Sequence, residues 1–180
     1  MAPETQIELA SELRSLLAGG DRLSIGRSGE AVEWIRRSPA HARAAVSAID
    51  DPDAVVRLRS ADALEKASRR EPDILAEHRT SLLKALEQGN QPDVEWHLLQ
   101  MVPRLRMTSA ERKRAFDQAR ERLQSRSAIV AAEALSALLA LSAELGPLRV
   151  ETIAAAESAL DSPFAAVRAR PSNLIAHEPR

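Results

Sequence analysis

The stretch that decides the fold is AIDDPDAVVRLRSADALEKA, at residues 48–67. It opens with a turn rich in Asp and Pro, continues with the pair Val56-Arg57, and ends in an Ala-rich segment with the apolar spacing of a helix. Part of it recurs as DSPFAAVRAR at 161–170, where Val167-Arg168 repeats the Val-Arg pair. A turn and helix signature that returns later in the same chain is typical of a repeat architecture.

Two weaker copies of the signature lie between these stretches. They align on Val94 and Val130, so that the four valines at 56, 94, 130 and 167 are separated by steps of 38, 36 and 37 residues. The arginine after valine is replaced by Glu95 and Ala131 in the two middle copies. Each step is long enough for two helices and a short turn.

Outside these copies the spacing of apolar residues is helical, and no alternating strand pattern competes with it. The residues Thr108-Ser109-Ala110-Glu111 have the spacing of a capping box, and Gly19, Gly89 and Gly146 stand where helices should end. Pro171 falls inside the expected last helix and should break or kink it. The predicted helices are near 4–17, 29–37, 39–49, 53–69, 72–87, 92–105, 109–124, 127–144, 147–160 and 163–175.

The stretch at 48–67 resembles the second half of a HEAT repeat, in which a turn containing Asp precedes a Val-Arg pair and an Ala-rich helix. The resemblance implies an all-α fold, a single α-solenoid domain over residues 1–180, with four HEAT-like repeats at 39–175. Residues 4–37 would form an atypical N-terminal cap pair, and residues 176–180 a loose tail. A wider stretch is similar to a group of bacterial HEAT-repeat proteins, which implies a fold and no reaction.

The same resemblance implies a structural role for charged residues of the turns. In HEAT repeats the Asp and Arg of the turn link neighbouring repeats. Carried over to this sequence, the linking residues would be Asp50 or Asp51 with Arg57, and Asp161 with Arg168.

Composition excludes several classes of function. The chain has no Cys, which excludes disulfides and thiolate chemistry, and only 2% of its residues are aromatic. The formal net charge is −1, so no strong global field attracts nucleic acid or a membrane surface. No segment has the roughly 18 consecutive apolar residues of a membrane span. We expect a cytoplasmic protein.

The Gly-rich segment AGGDRLSIGRSGEAVEWI, at 18–35, raises the question of a phosphate site. It lacks the Gly-Lys-Ser/Thr ending of a P-loop and no strand precedes it. Arg22, Arg27 and Ser28 precede a helix N-terminus, where an anion could bind. The favoured interpretation is a connector in which Ser28 caps the next helix.

Trp96 and His97 are the candidates for contact with a partner, together with Arg59 of the repeat signature. In HEAT repeats the second helices line the concave surface, where an exposed Trp is a good contact anchor. The alternative is that Trp96 packs between repeats and His97 is a solvated neighbour. Trp34 and Phe116 are better placed in the core.

The sequence has no pattern of a catalytic or metal site. None of its four histidines is followed four residues later by a His or a carboxylate, and no Ser lies in a nucleophile elbow. We therefore expect no enzyme activity, no bound metal and no cofactor.

Residues 104–126 carry eight Arg or Lys against three acids, which raises the alternative of nucleic-acid binding. HEAT-like folds include DNA glycosylases for alkylated purines, which place a catalytic carboxylate among aromatics in a basic groove. Glu95 beside Trp96 comes nearest to that arrangement, but aromatic residues are scarce. A solvated basic helix is the favoured interpretation, and an accessory or lyase-type HEAT protein is a further alternative. The function we expect is binding of another protein.

Overall fold

The structure is a computed structural model and describes residues 5–19, 27–89, 91–143 and 146–175. Within these ranges the chain is helical and contains no strand, which confirms the all-α prediction. None of the helices in these ranges is long and apolar enough to cross a membrane. The helices are Gln6–Leu17 (α1), Ser28–Ile35 (α2), Pro39–Ser47 (α3), Ala54–Arg70 (α4), Arg79–Gln88 (α5), Pro92–Met101 (α6), Ser109–Arg122 (α7), Ala128–Ser142 (α8), Gly146–Ala159 (α9) and Ala165–Ile175 (α10).

The repeat register of the sequence is also the register of the helices. Helices α4, α6, α8 and α10 begin at residues 54, 92, 128 and 165, which are separated by the same 38, 36 and 37 residues as the aligned valines. Each valine is the third residue of its helix, and all four are buried. One apolar side chain thus anchors the first turn of each of these four helices to the core.

The ends of the helices follow local sequence signals. Ser38 caps α3, and its Oγ accepts a hydrogen bond from the backbone N–H of His41. The predicted capping box of Thr108 and Glu111 is present at the start of α7. Gly89 ends α5 in the left-handed conformation, with φ of 58°, where a side chain would be strained.

Two expectations about helix ends were wrong, and the break that Pro171 could have produced in the last helix is absent from α10. Ser28 does not cap α2, because it is the first helical residue and the N-cap position belongs to Arg27, which makes no capping bond. Gly146 begins α9 instead of ending a helix. Helix α10 runs through Pro171, since Val167 and Pro171 are both buried and lie one turn apart on the side of the helix held by the core.

The described chain divides into two compact units, Met1–Arg106 and Met107–Arg180. In the first unit, α4 packs against α2, α3 and α6, while α1 packs against α2 and α3. Leucines spaced three or four residues apart supply much of this core, as in Leu9, Leu13 and Leu17 of α1. Trp34 is buried there as predicted, with its ring edge-on to His41 at a centroid distance of 4.4 Å.

In the second unit, α8 is the central helix and packs against α7, α9 and α10. It is apolar on nearly all sides, which is the pattern of a helix buried between neighbours. Phe116 of α7 is buried, as predicted. The prediction of a single solenoid domain stays a prediction, and the expected loose tail at 176–180 lies outside the described residues.

Candidate functional site

Arg57 holds the turn that precedes α4 through backbone carbonyls. Its guanidinium donates to the carbonyl oxygens of Asp51 at 2.7 Å and Pro52 at 3.0 Å, and to Oε1 of Gln91 at 2.9 Å. Gln91 is the N-cap residue of α6 and donates from Nε2 to the carbonyl of Ala54 at 3.1 Å. Arg57 and Gln91 therefore connect the starts of α4 and α6, the second helices of two successive pairs.

Arg168 makes the same type of contact in the last pair. It donates to the carbonyl of Ser162 at 2.7 Å, six residues back, the same separation as between Arg57 and Asp51. The implied pairing with turn aspartates takes a different form: Asp51 is bonded to Arg14 and to the backbone N–H of Asp53. The side chains of Asp50 and Asp161 are exposed.

Arg59 is buried and its guanidinium is used inside the fold. It donates at 2.6 Å to the carbonyl of Leu17 and at 2.6 Å to that of Gly19, which are the orphan acceptors at the end of α1. The C-terminal end of a helix carries partial negative charge, so a cation is stabilised there. Arg59 therefore offers no exposed cation to a partner.

Trp96 is half-buried and His97 is buried, so they do not form an exposed pair. Their rings are 4.3 Å apart, and Nε2 of His97 lies 3.9 Å from a carboxylate oxygen of Asp62. Among the residues that the structure describes, neither Nε1 of Trp96 nor Nδ1 of His97 has a hydrogen-bond partner. Burial lowers the pKa of His97 below its ordinary value, although Asp62 and Glu65 act in the opposite direction.

Glu65, one turn from Asp62 on α4, is a buried carboxylate with two cationic partners. Arg69 donates to it at 2.7 Å from the same helix, and Arg104 donates at 2.5 Å from the segment after α6. Burial alone raises the pKa of Glu65, but the bonds and charges of Arg104 and Arg69 outweigh this effect and hold it below its ordinary value. The cluster joins α4 to the segment after α6, and the carboxylate has no open side.

The Gly-rich segment gives little support to an anion site. Arg22 lies outside the described residues. Arg27 pairs with Glu30, with bonds of 2.8 Å and 2.6 Å, and Ser28 is buried. The cation that stands before α2 is thus already neutralised by a carboxylate of that helix.

The basic segment at 104–126 is largely neutralised or buried. Arg106 pairs with Asp73, Lys113 with Asp117, and Arg120 with Glu151. The basic residues Arg112 and Arg122 are buried, and Arg104 is bound to Glu65. The expectation of an entirely solvated basic helix was wrong for the two buried arginines.

A groove of about 670 Å³ lies in the first unit, beside the turn between α2 and α3. Its wall includes Arg36 and Arg70, which share Glu33, while Arg36 also binds Glu71. His78 is buried at its edge, and burial together with the charge of Arg43 lowers the pKa of that imidazole. The cations of the groove are satisfied by neighbouring acids, so it presents no net charge to a ligand.

Metal-binding geometry is absent from the part of the chain that the structure describes: no three His, Asp or Glu side chains there are grouped around a possible ion position.

The feature that the sequence interpretation missed is an apolar stripe on α9. Val150 is 74% exposed, Ile153 is 41% exposed, and Leu160, just after the helix, is 43% exposed. Steps of three and seven residues place these side chains on one face of a helix. The buried residues Thr152, Ala156 and Ala159 lie on the adjoining side of the helix, turned by about 100° from the stripe. We call Val150, Ile153 and Leu160 the α9 stripe.

The stripe had a signal in the sequence. A shift of 37 residues aligns Ile153 with Phe116 and Leu160 with Leu123, and both earlier residues are apolar.

No family model, no curated protein and no solved structure matches the chain.

Proposed function

We propose that this protein is a non-enzymatic protein-binding module, built as an α-solenoid of HEAT-like helix pairs. The observation that carries the binding function is the α9 stripe, in which three large apolar side chains are exposed on one helix face. Exposed apolar patches mark interaction sites in soluble proteins. By contrast, the guanidinium groups of Arg57 and Arg59 and the carboxylate of Glu65 are engaged in holding the fold together.

Several contacts support the solenoid within each unit. Helix α4 is the second helix of its pair. It packs against α2 and α6, which are the second helices of the pairs before and after it. Helix α8 packs against α10 in the same way, and the Arg57–Gln91 bond joins the starts of α4 and α6. Stacking of equivalent helices is how repeat proteins bury a core that one pair cannot bury alone.

The alternative of nucleic-acid binding has less support. A nucleic-acid site needs several cations free to neutralise phosphates. In the described chain, four cations of the basic segment form ion pairs with carboxylates: Arg104, Arg106, Lys113 and Arg120. Glu95 and Trp96 are both half-buried.

The test is capture of a partner followed by reconstitution. Full-length chain is crosslinked in host lysate, each captured protein is purified, and its binding is titrated with the wild type and with Val150→Glu. We expect one saturable interaction that Val150→Glu weakens and that Ile7→Glu leaves unchanged, because Ile7 is an equally exposed apolar residue outside the stripe. Failure of every purified candidate to bind would refute the function.

A further inference from the structure

We draw no further inference here: the strongest candidate, the exposed apolar face of α9 and α10, has the exposed cations Arg149 and Arg168 beside it as well as the exposed acids Glu157 and Asp161, so nothing in the structure shows what covers it.

Discussion

Arg59 shows how one charged side chain becomes part of the core. Its guanidinium reaches two carbonyls at the end of α1, about 40 residues earlier in the chain. Those carbonyls have no acceptor role inside their own helix, so a buried donor satisfies them. Removal of the donor would leave polar oxygens buried and unpaired.

We therefore expect Arg59→Met to lower the free energy of unfolding by about 1–3 kcal/mol. Methionine keeps much of the apolar stem, so the loss reports the hydrogen bonds more than the packing. The matched control is Arg114→Met on an exposed part of α7, with an expected change within about 0.5 kcal/mol. Urea denaturation measures the free energy of unfolding of both variants. Equally small losses in the two would show that the Arg59 hydrogen bonds do not contribute to stability.

His97 supplies a prediction on pH. Its pKa in the folded protein is lowered by burial, while in the unfolded chain it is near the ordinary value of about 6.5. The unfolded state takes up the proton first as pH falls, so stability is fully present above about pH 6.5 and is lost as pH falls toward the folded pKa. We expect His97→Gln to lose less stability than the wild type between pH 7.5 and pH 5. Urea denaturation at the two pH values gives the free energy of unfolding of both proteins. Equal losses of stability in the wild type and in His97→Gln would contradict the prediction.

Single residues also mark the limit of prediction from sequence. The core positions of Trp34 and Phe116 follow from helical spacing, which is local. The burial of Arg59 and His97 depends on contacts with α1 and α4 that local spacing does not contain. An arginine in a turn signature has the same local pattern whether it is solvated or bonded to a distant helix.

At the scale of elements, the caps explain why the helix bounds were predictable. Thr108 and Glu111 satisfy each other's backbone N–H groups, so four consecutive residues fix the start of α7. Thr5 and Glu8 form the same box at α1, a signal of equal spacing that the sequence interpretation did not use. Pro171 is the opposite case, since packing on the core overrides a local helix breaker.

We expect Thr108→Ala to destabilise the protein by about 1 kcal/mol, because the first turn of α7 loses its cap. Ser109→Ala is the control, since Ser109 is an exposed first helical residue with an expected effect within about 0.5 kcal/mol. Thermal unfolding, monitored by circular dichroism, gives the melting temperature of each variant. Equal melting temperatures for the two variants would show that the box is not stabilising.

The α9 stripe was missed at this scale for a physical reason. Ile153 and Ala156 are three residues apart and therefore lie on neighbouring parts of one broad apolar arc of α9. Helical spacing alone does not say which part of that arc a neighbouring helix covers. Exposure of the stripe is a property of the packed structure.

At the scale of the whole molecule, charge is balanced locally as well as in total. The formal net charge is −1, and the basic residues at 104–126 that are exposed are mostly paired with nearby acids. Paired cations contribute little to the field felt by a distant polyanion. The sequence count of eight bases against three acids did not contain this information, because acids such as Asp73 and Glu151 come from other segments.

We expect little or no binding to short single-stranded or duplex DNA at about 0.15 M salt, where the Debye length is about 8 Å. Fluorescence anisotropy of labelled oligonucleotides at two salt concentrations measures the DNA affinity and its dependence on salt. Arg114→Glu should leave the signal unchanged. Tight binding with a steep salt dependence, lost in that variant, would favour the nucleic-acid alternative.

The division into two units has an optical consequence. The chain has two Trp and no Tyr, and both Trp34 and Trp96 belong to Met1–Arg106. Intrinsic tryptophan emission therefore reports on that unit alone, while the far-ultraviolet helical signal reports on both. Unfolding curves from the two signals coincide only where the units unfold together, so their separation measures the cooperativity between them directly, without any added label.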